Sequence, residues 1–363
     1  MKRHSINYGK TIVCIFIIFL WTTNVFAGLG GYIGTADNRS YGRLSDSEYR
    51  GVVKLSIGNG RCTGGFISKN LIITNDHCAL HCIGNQKCTA EYWNGSGYET
   101  SNVRAVLYYK GHQTFNGTDW AILLSDKNSN FYKSVSPTTT PGQVSRGGYG
   151  VLRVIEDDEV PMLKAVYKEV MIQMKQKCAD EVKKTKKSFV ECINREVDKR
   201  LEQSGQKPLF KDSDNFKVQQ CNILGDYDSN SKIARTDCDS SGGDSGAPLL
   251  RNNQIMGLNS GGNQNLFGDS DVNAIGIKTE NFYDYAKQQI QKYQNMNTYK
   301  INSLSSETDG RINTNKNTNN ITDDNVYDAT SQKQTEPVEL NPDDENYKIE
   351  QILQQRLQDF DCD

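Results

Sequence analysis

Between Tyr49 and Leu124 short apolar runs alternate with Gly- and Asn-rich breaks, as in GVVKLSI, CTGGFI, NLIITN, VRAVLYY and WAILLS. Runs of this length, alternating or continuously apolar and bounded by turn residues, predict short β-strands. The pattern resumes at GAPLL, QIMGLNS and NAIGIK, between Gly246 and Lys278. Many short strands at close spacing predict an all-β sandwich or barrel and argue against alternating α/β layers.

A segment of different texture interrupts the strands. From about 157 to 204 the chain is charged and helical in period. Val166, Val170, Met174, Cys178 and Val182 share one face, and Phe189, Ile193, Val197 and Leu201 share another. Pro161 suits a first-turn position. The expectation is a helical hairpin inserted between two halves of a β-domain. On one straight helix Cys178 and Cys192 would lie about 21 Å apart, so a bridge between them demands a turn, expected near Lys183 to Lys187. After the last strand, Phe282, Tyr285, Ile290 and Tyr293 recur at helical spacing and predict a closing helix.

The two ends read differently. Lys2, Arg3 and Lys10 precede an apolar stretch from Thr11 to Trp21, and small Ala27 follows in NVFA. This is the layout of a secretory signal over residues 1–27, with an uncleaved membrane anchor as the alternative. The apolar run is short for a membrane span, so no stable span is expected once the signal is removed. A domain over 28–296 follows, and residues 297–363 are polar, Asn- and Thr-rich and expected to be mostly disordered, with a short amphipathic segment from Tyr347 to Phe360.

Composition adds two constraints. With 42 basic and 44 acidic residues the net charge is −2, which gives no support for a nucleic-acid partner. Cysteines are frequent, and in an exported chain they read as disulfides. Pairing sequence neighbours suggests Cys62–Cys78, Cys82–Cys88, Cys178–Cys192 and Cys221–Cys238 and leaves Cys362 odd, although spacing alone does not fix connectivity.

Within this frame a few residues carry chemistry. His77 lies in NLIITNDHC at a strand end, Asp119 stands immediately before the apolar run WAILLS, with Asp126 its nearest rival, and Ser245 lies in GGDSGAP. A serine nucleophile needs a base, a carboxylate to orient that base, and donors for the oxyanion. The amides of Gly243 and Ser245, in a glycine-flanked turn, are candidates for the last role. His81 and His112 are expected to be loop residues. His77, Cys78, His81 and Cys82 are too crowded for a usual zinc spacing, so no metal is expected, and no cofactor.

TNDHC, TDWAILL and GGDSGAPLL, in that order, resemble the His, Asp and Ser blocks of the chymotrypsin-like (trypsin-fold) serine peptidases. DCDSSGGDSGAPLL is closer to secreted bacterial members, including relatives of the glutamyl endopeptidases. The resemblance implies a double six-stranded β-barrel with the site in the cleft between barrels. It implies His77 as general base and acid, Asp119 as orienting carboxylate and Ser245 as nucleophile. Ser260 and Gly262 resemble the segment that pairs with substrate backbone.

Two departures matter. Asp239, six positions before Ser245, stands where trypsin-type enzymes hold an acid for Lys or Arg substrates, but Ser241 replaces the cysteine that braces that pocket. Glutamyl-specific relatives carry a histidine where this chain has Asn259. In many members a new amino terminus pairs with the carboxylate next to the nucleophile, here Asp244, yet the start of the chain lacks a basic cleavage site. The expectation is that the signal-peptidase product, or an internal cation such as Arg39, satisfies Asp244. The function implied is a secreted endopeptidase acting on protein or peptide substrates, with a protease-fold binding protein as the alternative. The helical insertion and the tail are the parts free to take a partner.

Overall fold

The computed structural model describes residues 37–58, 60–84, 87–109, 117–185, 189–211, 214–227, 232–262, 274–294 and 311–312. The chain enters through β1 (Ser40–Tyr41) and then builds a first barrel. Its strands are β2 (Val52–Ile57), β3 (Gly60–Phe66), β4 (Leu71–Thr74), β5 (Cys88–Trp93), β6 (Tyr98–Tyr109) and β7 (Ala121–Ser125). They pair in the order β5-β2-β3-β4-β7, and β6 closes the ring by pairing with both β5 and β7. A one-turn helix, α1 (Asp76–Ala79), follows β4.

A second barrel follows. After the short β8 (Ser134–Val135), strands β9 (Gly142–Gly148), β10 (Lys217–Asp226), β11 (Ile233–Thr236), β12 (Pro248–Arg251), β13 (Gln254–Gly262) and β14 (Ala274–Lys278) close through β9–β10 pairing. The result is two closed six-stranded antiparallel barrels, as the sequence resemblance implied. Closure pairs the six strands of each barrel with one another and leaves few open edges among the described residues.

The apolar runs are continuous where a strand is buried on both faces. In β4, Leu71 and Ile73 join a core that also takes Leu250, Ile255, Leu258 and Ile277 from the second barrel, while Ile72 points into the first. In β7, Ile122 and Leu124 face the shared core, and Ala121 and Leu123 the barrel interior. Up to their last residues, Thr74 and Ser125, these two strands therefore read as continuously apolar, because both of their faces are covered.

The predicted insertion is present as α2 (Val160–Thr185) and α3 (Phe189–Gln203); Lys183 to Thr185, expected in the turn, are still helical, and 186–188 lie outside the described residues. Pro161 is the second residue of α2, where its missing N–H costs nothing. Val170, Cys178, Ile193, Val197 and Leu201 are buried together, and Leu152, Ile155 and Leu209 at the root complete that cluster. The closing helix is α4 (Tyr283–Tyr293), with Phe282 and Tyr293 buried and Ile290 packed beside them. Tyr285 is 39% exposed, yet its ring meets Trp120 at 5.3 Å.

All four neighbour pairings of cysteine are present, at S–S distances from 1.96 to 2.21 Å. Cys362, the signal segment and most of the tail lie outside the described residues. From the stretch expected to be unstructured, Arg311–Ile312 forms β15, a two-residue strand parallel to β6. No helix among the described residues is long and apolar enough to cross a membrane.

Candidate active site

Register brings the site together. Strands β4 and β7 pair antiparallel with Thr74 opposite Ala121, so residues just after β4 meet residues just before β7. His77 and Asp119 occupy those places. The His77 Nδ1 lies 3.0 Å from each Asp119 carboxylate oxygen, and the His77 main-chain N–H donates to Oδ1 at 3.1 Å. The Asp119 side chain is fully buried, whereas that of His77 remains 21% exposed. A buried carboxylate against Nδ1 fixes one tautomer and leaves Nε2 for other chemistry.

The surroundings hold Asp119 still. The Ser260 hydroxyl donates to its Oδ2, and Asn75 Nδ2 donates to its main-chain carbonyl at 2.7 Å. Trp120, the next residue, is buried against Tyr109, Phe282 and Tyr285. The closing helix thus helps to seat the carboxylate, a role that its sequence pattern alone did not reveal.

Ser245 approaches from the second barrel. Its carbonyl accepts from the Thr63 N–H at 2.8 Å and lies 4.0 Å from Cys78 Sγ. A ring nitrogen of His77 lies within 4.8 Å of the sulfurs of Cys62 and Cys78. Ser245 and His77 therefore flank one disulfide, which ties the strand holding Thr63 to the helix holding His77. Gly246 adopts φ +81°, and a Cβ there would collide with Thr74 Oγ1 and the Thr63 carbonyl. That position requires glycine both for its conformation and for this approach between barrels.

The turn before the serine is shaped for amide donors. Gly243 has φ +99°, and its carbonyl is turned away to accept from Thr63 Oγ1 at 2.8 Å. Among the described residues, the N–H groups of Gly243 and Ser245 donate to no protein acceptor.

Two expectations about the flanking acids are sharpened. Asp244 and Arg146 of β9 are both fully buried and form an ion pair at 3.3 Å. An internal cation is therefore present, but Arg146 supplies the pair. Arg39, the cation expected there, is paired chiefly with Asp37 at 2.8 Å and reaches the loop through Ser241. Arg146 sits alone between uncharged residues in GQVSRGG, a buried-strand signal that is visible only once the strand is known to be central. Asp239 is 1% exposed, and its Oδ2 accepts from both the main-chain N–H and the side-chain amide of Asn38, at 2.7 and 3.1 Å. Asn259 is buried, with its amide on the Asp244 carbonyl at 3.2 Å.

The remaining site candidates are placed as follows. Ser260 and Gly262 lie on β13, which pairs with β14 on one side through Gly262 and Ala274, whereas its pairing with β12 ends at Leu258. His81 is exposed in a short 3-10 turn, and His112 lies outside the described residues. The thiols of Cys78 and Cys82 are committed to disulfides.

The trypsin family model matches residues 43–192. Over that segment the chain is similar to the trypsin family, and its two six-stranded barrels have the trypsin-like fold. The matched segment holds the first barrel, with His77 and Asp119, and ends inside the helical insertion. Two solved structures are similar over most of the chain. A Glu endopeptidase in complex with MPD is 16% identical, covering 70% of this chain and 97% of its own, at a TM-score of 0.43. Neuropsin, a serine protease expressed in the limbic system of mouse brain, is 12% identical, covering 71% and 100%, at a TM-score of 0.45. No curated protein sequence matches the chain.

Proposed function

We propose that the protein is an exported serine endopeptidase that cleaves peptide bonds through an acyl-enzyme on Ser245. The observation that carries this reading is the His77 ring held by a fully buried Asp119 beside the disulfide that Ser245 also touches. In this mechanism Ser245 Oγ attacks the scissile carbonyl and His77 takes the hydroxyl proton. The carbonyl oxygen gains negative charge, and the amides of Gly243 and Ser245 receive it. His77 then returns the proton to the leaving amine as the C–N bond breaks, which leaves an ester on Ser245. A water, deprotonated by His77, hydrolyses that ester and restores the serine. Asp119 stays ionised throughout and stabilises the charged ring.

Substrate backbone fits the same reading. Asn259 still bonds to the main chain of Gly246 and Ala247, and beyond it that side of β13 has no strand partner among the described residues, so an extended peptide can add there along Ser260 to Gly262. Four disulfides suit an oxidising compartment, in line with the signal-like start. A preference for Lys or Arg is the finer part of the reading. It rests on Asp239, whose carboxylate already serves Asn38, so the substrate side chain finds a partnered acid there.

The deciding experiment treats the full, exported chain with a fluorophosphonate probe beside a Ser245→Ala control. Labelling of the parent and not of the control is expected. A folded parent that resists the probe would remove the enzyme reading.

A further inference from the structure

Behind the loop that carries Ser245 lies a group of buried charges that no step of the chemistry uses. Asp37, Arg39, Arg146, Asp239 and Asp244 are each at most 9% exposed. Three consecutive residues, Asp37, Asn38 and Arg39, thread through this group and make three sets of contacts.

The first contact is to the loop before the serine. Asn38 holds Asp239, and Arg39 Nη1 lies 3.5 Å from Ser241 Oγ. The second is to the root of the helical hairpin. Asp37 Oδ2 accepts the Ile155 N–H at 2.9 Å, and Arg39 Nη2 donates to the Arg153 carbonyl at 2.9 Å. The third is internal, since Asp37 grips Arg39 through Nε and Nη2, both at 2.8 Å. Burial alone would lower the Arg39 pKa. The hydrogen bond and charge of Asp37, with the charges of Asp244 and Asp239, raise it above its ordinary value.

The loop from Ser241 to Ser245 has no strand or helix to fix it, so its shape depends on these side-chain and cross-loop bonds. Val151 N–H donates to the Gly242 carbonyl at 2.7 Å, and Leu152 N–H to Ser241 Oγ at 3.3 Å. Gly150 packs so closely that a Cβ there would overlap Ser241 Oγ and Asp244 Oδ2. Leu152 and Ile155, on the same stretch, belong to the core of the hairpin. Arg153 anchors the stretch to the hairpin base through both Glu159 oxygens, at 2.7 and 2.8 Å. A chain of bonds, part-buried at Glu159 and buried nearer the loop, thus runs from the residue before α2 to Ser241 and Gly242.

We propose that Asp37, Asn38 and Arg39 are positioning residues that clamp the Ser241–Ser245 loop to the root of the helical hairpin, so that the seating of the hairpin sets the oxyanion-binding amides. The inference rests on the peptidase reading for its effect on rate, but the clamp itself is a statement about the loop. A hairpin that merely decorated the surface would need no bonds to the turn before the nucleophile. A shift of the hairpin base moves the donors at Val151 and Leu152, and the Gly242 carbonyl and Ser241 follow.

The test uses the full chain with Arg39→Gln, Arg39→Lys and Glu159→Gln. The last change lies at the hairpin base, outside the clamp and the catalytic group. Amide hydrogen exchange is followed over 239–247, alongside the fluorophosphonate rate, kcat and KM on a short peptide, and thermal melting. Exchange over 239–247 is expected to rise in Arg39→Gln and, more weakly, in Glu159→Gln. The labelling rate and kcat fall by about threefold to thirtyfold with KM little changed, and Arg39→Lys recovers part of the loss because it restores the charge. Lower melting temperatures with exchange over 239–247 and labelling both within twofold of the parent would overturn the clamp and leave residues 37–39 a plain structural element. If the parent itself does not label, the peptidase reading fails, and the exchange arm still decides the clamp.

Discussion

Arg146 is the most informative single position outside the proposed triad. Its guanidinium and the Asp244 carboxylate are both fully buried, 3.3 Å apart, and Asp244 directly precedes Ser245. At that distance, with an effective dielectric near 20, the attraction is about 5 kcal/mol before the cost of removing both charges from water. Replacing Arg146 by Met keeps most of the volume and leaves Asp244 a buried charge without its partner. Breaking one side of such a pair costs about 3–5 kcal/mol. Arg39 also acts on Asp244 through its charge and should hold the loss toward the lower end. For a domain of this size that is a fall in melting temperature of roughly 6–15 °C. Activity should fall further than stability, because the freed Asp244 releases the amides on either side of it. Asp244→Asn in the Arg146→Met background removes the stranded charge and should recover stability without recovering full kcat. Melting, fluorophosphonate labelling and kcat/KM on the four chains of this cycle give the coupling directly. A parent chain carrying extra residues at its amino terminus completes the set. If Arg146→Met is as stable and active as the parent while the extended chain is inactive, an amino terminus satisfies Asp244 and the internal-cation account is wrong.

Three further outcomes follow from the site. Ser260→Ala removes one hydrogen bond from Asp119 but leaves both from His77, so kcat should fall by roughly tenfold, far short of the ~10⁴ expected for Asp119→Asn; equal losses would mean that Ser260 itself organises the carboxylate. Because Asn38 already engages Asp239, profiling on a mixed peptide library should show less than about a tenfold preference for Lys or Arg, a discrimination worth about 1.4 kcal/mol; a strong basic preference abolished by Asp239→Asn would show that the carboxylate faces substrate. Glu159 is held below the ordinary carboxylate range by its hydrogen bond from Arg153, against the opposing effect of its burial. Its ionised form is therefore favoured by the fold, with stability present above its unfolded pKa of about 4.3 and lost as pH falls through the lower folded value. Hydrogen exchange in α2 should quicken there, and Glu159→Gln, lacking the titration, should lose that part of the pH dependence; an unchanged profile would rule the pair out as a hairpin anchor.

The sequence was legible where burial is simple. Strands β4 and β7 announce themselves because both faces are covered, and the hairpin because its apolar stripe has the period of a helix facing a single neighbour. The His77, Asp119 and Ser245 motifs were found by context, and the register of Thr74 against Ala121 explains why the first two meet. Strands β9 and β10 gave little signal. Arg146, Lys217 and Gln219 are buried within them, each at most 4% exposed, and polar residues at interior positions erase the alternation on which strand reading depends. Lys217 is held by the carbonyls of Gly150 and Asn215, at 2.9 and 3.1 Å, so its burial is compensated by partners that no local pattern names.

The places where the pattern failed share a physical cause. Arg146, Lys217, Asn38 and Arg39 all lie around the loop from Asp239 to Asp244, and each is a polar group that an apolar residue would replace if packing were the only demand. A buried ion pair is weak support for stability when set against apolar side chains of similar volume. It does hold direction and distance, which apolar packing does not. On the proposed mechanism, loop 241–245 needs those constraints because two amides must point into one small volume without help from a strand or helix. The polar interior of the second barrel is therefore best understood as the support of that loop. On this view, replacing Lys217 by Met should leave the melting temperature nearly unchanged or raised while slowing fluorophosphonate labelling. A loss of stability with no change in labelling would show that Lys217 serves the barrel and not the site.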